Sequence, residues 1–144
     1  MLFGAKGGGS MQEVAQYGDL GPTKFNTAIK SLTILAASED WVSSSTLTER
    51  LGVESSFIRK VLAKLMSESL VEGSGGYKLI ADPARLTVYD VYVALSKDSY
   101  IKDQVLLQNK TDKLIAKIIT DAEVQFSQVL RQYTIEDLRR TLED

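Results

Sequence analysis

Four side chains near the middle of the chain, Ser55, Ser56, Arg59 and Lys60, fall on one face of a predicted helix and carry groups suited to polar edges and anions. A guanidinium offers a planar fork of donors, an ammonium a point charge, and two serines leave room for close approach. At 100° per residue from Ser55, these residues and Ala63 occupy roughly 0° to 140°, concentrated in the N-terminal half. Phe57, Ile58, Val61, Leu62 and Leu65 occupy roughly 200° to 340°, the arc of a buried face. Such a helix can enter the major groove of double-stranded DNA, with Arg and Lys meeting phosphates and guanine edges. The same pattern also fits an amphipathic hairpin whose polar face is only solvated.

Other chemistries lack their residues. The chain of 144 residues has no cysteine and no histidine. Thiolate and imidazole ligation, disulfides, thiol redox sensing and His- or Cys-dependent catalysis are therefore not expected, and neither is an iron-sulfur or zinc cofactor. There is also no P-loop, no pair of carboxylates on one predicted face and no nucleophile with a base, so an enzyme is not expected. No apolar run approaches the ~20 residues of a membrane span, and no segment reads as a signal peptide, so the expected location is cytoplasmic.

The net charge of -2 rules out a global basic field. Distribution is more informative than the sum. Residues 23–80 hold seven basic and six acidic side chains, a net of +1, and the acidic excess lies in the C-terminal part.

The elements that would position the basic face follow from local signals. The stretch from Val42 to Leu70 reads as helix, turn, helix. Val42 and Ser43 open the first helix, Leu47 and Leu51 supply its apolar contacts, and Gly52 provides the residue that tolerates positive φ at its end. Val53 packs into the elbow, and the second helix starts near Glu54 and Ser55. Leu70 and Val71 begin a strand, Gly73 to Gly76 turn the chain, and Tyr77 to Ile80 return, with Lys78 directed towards a backbone phosphate. Upstream, Phe25, Ala28, Ile29, Leu32, Leu35 and Ala36 give a helix over 23–38 that packs under the pair, with Lys24 at its start either in reach of a phosphate or simply solvated. Glu39, Asp40 and Trp41 form the loop onward, Trp41 as an anchor at the core edge.

After the wing, Thr87 and Asp90 form a capping-box pattern ahead of a short helix with Val88, Val91, Tyr92 and Leu95 inward. The pattern weakens over 98–109. From Lys110 to Gln132 runs the longest helical stretch, with Leu114, Ile115, Ile118, Ala122, Phe126, Val129 and Tyr133 in a stripe that Ile119 and Leu130 widen. A helix of ~35 Å is too long for so small a domain to cover, which implies a partner surface, most simply a second copy of the chain. Thr134 and Asp137 repeat the capping-box spacing before a last helix. Residues 1–22 differ in kind: GGGS at 7–10 followed by Met11 reads as a tag or linker joined to a second start, or a flexible arm, and no function is read from it. The expected class is mainly α with a small β-hairpin wing: a winged helix-turn-helix over 23–97, then loop, long dimerisation helix and C-terminal helix over 98–144.

The ordered segments TKFNTAIKSLTIL, VSSSTLTERLGV, SSFIRKVLAKLMSESLV, GGYKL and LTVYDVYVAL resemble the Rrf2 family of bacterial transcription regulators over about residues 23–140. The resemblance implies a winged-helix domain, a long dimerisation helix that crosses to the partner subunit, and binding to a palindromic operator, often as a repressor. By position it implies DNA contacts from Ser55, Ser56, Arg59 and Lys60 in the groove and from Lys24 to phosphate. Ser43, Ser44 and Ser45 match the residues that head the second helix, and Gly75, Gly76 and Tyr77 match the GGY wing signature. Two departures matter. Many members hold an iron-sulfur cluster through three cysteines before the long helix, and the loop 100–109 has none. The wing is short and lacks the arginine that commonly reaches the minor groove, which shifts specificity towards the recognition helix. The reading is therefore a DNA-binding regulator acting as a homodimer, controlled by a small-molecule effector, a protein effector or nothing beyond its own level, and without a membrane. A winged helix that docks on protein without DNA is the alternative.

Overall fold

The computed structural model of the chain describes residues 22–96 and 109–143. The GGGS stretch and most of the loop before the long helix lie outside them. Eight elements follow in order: α1 (Pro22–Ala36), α2 (Ser44–Leu51), α3 (Ser55–Ser67), β1 (Val71–Gly73), β2 (Tyr77–Leu79), α4 (Val88–Ser96), α5 (Lys110–Leu130) and α6 (Ile135–Thr141). The arrangement is mainly α with one two-stranded antiparallel hairpin, as the patterning predicts.

Local chemistry sets the ends of the helix pair. Ser43, in extended geometry, accepts a hydrogen bond from the Thr46 amide at 3.1 Å and so caps α2. Gly52 adopts φ 66° and its amide donates to the Thr48 carbonyl at 2.8 Å, which closes α2 after two turns. At the end of α3 the Ser69 amide donates to the Met66 carbonyl and the Leu70 amide to the Leu65 carbonyl. This is a Schellman closure, and Ser69 holds its left-handed position at φ 63° with a side chain where glycine is the usual occupant.

Two boundaries differ from the sequence reading. Val42 does not open α2: it forms an antiparallel bridge with Tyr77, amide to carbonyl in both directions at 2.9 and 2.8 Å. A β-branched residue gains more from this ladder than from a helix start. Gly73 belongs to β1 and pairs with Tyr77, whereas Ile80 lies beyond β2 and is exposed.

The core joins every layer. Leu32 of α1, Leu47 of α2, Ile58, Leu62 and Leu65 of α3, Leu95 of α4 and Ile135 of α6 are fully buried together. Ile135 is the unexpected member. Its amide donates to the Leu86 carbonyl, the Val88 amide donates to the Tyr133 carbonyl, and Thr87 bridges Thr134. The C-terminal helix thus packs inside the winged-helix body, across the division drawn at residue 98. Both capping boxes form: Thr87 with Asp90, and Thr134 with Asp137, each exchanging two hydrogen bonds of 2.8–3.1 Å.

Candidate nucleic-acid interface

Helix α3 is held by its apolar arc. Ile58, Val61, Leu62 and Leu65 are buried, and the turn at Gly52 fixes where the helix begins. On the other side Ser55, Ser56, Arg59, Lys60 and Ala63 are all exposed. Neither Arg59 nor Lys60 has an ion pair or side-chain hydrogen bond among the described residues, so both cations face solvent with their donors uncommitted. That is the geometry the angular pattern predicts.

The three serines heading α2 separate into two roles. The Ser43 hydroxyl accepts from the Thr46 amide, donates to the Thr46 hydroxyl at 2.9 Å and lies 3.1 Å from the Ser45 hydroxyl. Its bonds are spent on the cap. Ser44 and Ser45 sit in the first turn, where an α-helix leaves its amides without intrahelical partners. Beside them Ser43, Ser44, Met66 and the wing residues Gly73 to Tyr77 line a cleft of ≈380 Å³. Lys24 is half-buried in the first turn of α1.

The wing shows why its glycines are needed. Gly75 turns the hairpin at φ 74°. A Cβ at Gly76 would meet the Trp41 Cβ at 3.1 Å and the Val42 carbonyl oxygen at 3.3 Å, so a side chain there would push the Val42 segment back by a few tenths of an ångström. Tyr77 then pairs with Gly73 on one side and Val42 on the other.

Lys78 lies at the edge of the wing beside Trp41. Its Nζ lies 5.7 Å over the Trp41 ring, and its backbone register faces Glu72. The ammonium rests on an aromatic face and shares its strand position with an acid, which weakens the cationic reach of an already short wing. Trp41 is 38% exposed and accompanies Lys78 at this edge. Nothing local in the sequence marks that pairing, since it depends on the Val42–Tyr77 bridge.

The long helix has no buried residue in the single chain. Leu114, Ile115, Ile118 and Val129 are 48–58% exposed, and Ala122 is exposed with them. Phe126 differs. It packs edge-on against Tyr92 at 4.9 Å, and Tyr92 in turn meets Phe25 at 6.4 Å. The Arg131 guanidinium lies 4.3 Å over the Tyr89 ring. These aromatic contacts seat the C-terminal end of α5 on α4, and they were not read from the sequence.

Comparison with known proteins agrees with this architecture. The model of the Rrf2 family, described as an iron-dependent transcriptional regulator, matches residues 22–141. A search of curated proteins finds no match. Among solved structures, IscR of T. potens is similar at 21% identity and a TM-score of 0.66, covering 87% of this chain and 91% of that one. CymR (YrzC), the global cysteine regulator of B. subtilis, is similar at 24% identity and a TM-score of 0.62, covering 82% and 94%. Staphylococcus aureus CymR is similar at 18% identity and a TM-score of 0.61, covering 81% and 95%. At these identities the structures speak to fold, a winged helix.

The iron in the family description does not fit the donor set of these residues. Iron-sulfur clusters are held by thiolates, in some cases with imidazoles, and the 144 residues contain neither cysteine nor histidine. Among the described residues no three carboxylates gather where an ion could sit. The departure concerns the sensor and leaves the winged helix and its exposed basic helix face intact. With the family model spanning nearly the whole described chain, and with the helix pair, wing and long helix in the expected order, the chain belongs to the Rrf2 family of transcriptional regulators.

Proposed function

We propose that the protein is a homodimeric repressor that reads an inverted-repeat operator with α3. The observation that carries this reading is the exposed face of Ser55, Ser56, Arg59 and Lys60, whose cations have no partner among the described residues. Arg59 contacts guanine by a bidentate pair, and Lys60, Lys24 and the head of α2 at Ser44 and Ser45 hold the phosphate backbone. The apolar stripe of α5 supports dimerisation. Two copies joined along it place two α3 helices about a two-fold axis, with half-sites roughly 34 Å apart, one turn of DNA. Bound across a promoter, such a dimer blocks transcription.

Regulation proceeds without an iron-sulfur cluster, because the sequence has neither the thiolates nor the imidazoles that hold one. A small molecule or a protein partner supplies the signal. No helix among the described residues is long and apolar enough to cross a membrane, and the proposed site of action is the cytoplasm.

The test is selection of random duplex DNA by the purified chain at two salt concentrations, with sequencing of the bound fraction. Enrichment of an inverted repeat, weaker at higher salt as counterion release requires, is the expected result. Absence of both enrichment and salt-sensitive binding would refute operator reading and favour a winged helix that docks on protein.

A further inference from the structure

Between α1, the C-terminal end of α2 and α6 lies a groove of ≈480 Å³. Its floor includes Ile29, Leu51, Leu138 and Leu142, and among the described residues its charged lining consists of Lys30 and Arg50 with no carboxylate. The hydroxyls of Thr33 and Thr141 in its wall turn back to carbonyls of their own helices, at 2.8 Å to Ile29 and 2.6 Å to Leu138. They do not neutralise the two cations. Neither Lys30 nor Arg50 forms an ion pair or side-chain hydrogen bond among the described residues. A second cavity of ≈330 Å³ shares Asn26, Lys30 and Leu51 with the groove and continues to Val53.

We propose that this groove is a binding site for a small monocarboxylate with an apolar body, of medium-chain fatty acid size, and that the bound anion weakens DNA binding. Charge complementarity selects the ligand: two uncommitted cations over an apolar floor suit one carboxylate attached to hydrocarbon, and the volume lies within the roughly 300–1,000 Å³ of small-molecule sites. Leu142, half-exposed, gains a covering partner.

The link to DNA is short. Leu51 ends α2, Gly52 makes the elbow and Val53 lies beside the second cavity, so a ligand lodged there bears on the turn that orients α3. The anion also lowers the net charge of residues 23–80 from +1 to zero, reducing attraction to phosphate. Ligand and DNA then oppose each other by the same factor in both directions. This regulatory half rests on the operator-reading function proposed above.

The experiment is calorimetric titration of the full chain with sodium octanoate, octan-1-ol and octylammonium, alongside binding to the random duplex pool with and without octanoate. Octanoate is expected to bind at least about tenfold more tightly than either uncharged or cationic analogue, and Lys30→Gln or Arg50→Gln to weaken it about tenfold without moving the thermal midpoint. Leu142→Gln is expected to weaken octanoate as well and serves as a surface variant remote from the core. Equal binding of octanol, octanoate binding left at the wild-type level in both glutamine variants, or no octanoate binding would overturn the site. Loss of dimer in Leu142→Gln without octanoate binding would assign the groove to a second copy and also overturn it. Octanoate binding that leaves DNA affinity unchanged would overturn the regulatory half. Octanoate binding at the groove in a chain that never binds DNA would support the ligand site while refuting operator reading.

Discussion

Replacing Ile118 with serine tests the α5 stripe directly. Ile118 is 58% exposed in the single chain and belongs to no part of the buried core. Full burial of an isoleucine side chain is worth about 1.5–3 kcal/mol, so the exposed share leaves roughly 1–1.7 kcal/mol for a partner to claim. A two-fold axis counts the change twice, giving about 2–3.5 kcal/mol, or about 30- to 300-fold in the dimer dissociation constant. Sedimentation equilibrium over a range of concentrations measures this. Val124→Ser is the control: Val124 is 46% exposed, nearly as apolar, but lies roughly 280° round the helix from Leu114, against roughly 40° for Ile118. Its expected effect is within about twofold, since its face is turned away from the stripe. Thermal unfolding of dilute monomer should be unchanged by either substitution. Equal effects of the two variants, or a wild-type chain that remains monomeric throughout, would refute the assignment of this face to a second copy.

Three further outcomes are expected. Arg59→Ala should cost about 1–3 kcal/mol on the selected operator and relax its sequence preference, whereas Lys24→Ala should weaken selected and random duplexes alike and reduce the salt slope by about one; matched losses from both in filter binding would refute that division. Ser69→Gly should stabilise the fold by about 0.5–1 kcal/mol, read from the urea midpoint, because glycine relieves the left-handed residue that closes α3; a destabilised variant would contradict the strain. The hydrogen bonds of Arg139, together with its charge and that of Arg140, hold the Glu136 carboxyl below its ordinary value of 4.5. With the folded value depressed, this contribution is fully present above about pH 4.5 and is lost as pH falls through the folded value. The gap in urea midpoint between wild type and Glu136→Gln should therefore narrow on acidification below that point, and a constant gap would show that the carboxylate charge is immaterial to α6.

The sequence by itself determined the features whose causes act within a few residues. Helical spacing divided α3 into a buried arc and an exposed arc, and Ile58, Val61, Leu62 and Leu65 lie inside while Ser55, Ser56, Arg59 and Lys60 lie outside. Gly52 stopped α2, and the Thr87–Asp90 and Thr134–Asp137 boxes opened α4 and α6, because a cap is formed by a side chain and an amide three positions away. The composition alone removed thiolate and imidazole ligands.

Tertiary structure decided what joins distant segments. Val42 reads locally as a residue near a helix start, yet its amide and carbonyl are claimed by Tyr77, and that bridge carries Trp41 to Lys78. Ile135 heads a short amphipathic helix that the pattern leaves unassigned to any neighbour; only the ladder through Leu86 and Thr87 draws it into the core. Phe126 shares the angular stripe of α5 but is taken by Tyr92 of its own chain. The groove between α1, α2 and α6 had no signal at all, since Lys30, Arg50 and Leu138 come from three separate stretches. Periodicity records which side of an element is apolar. Which surface covers that side is set by packing the whole chain at once, and the site's cations are placed by that packing.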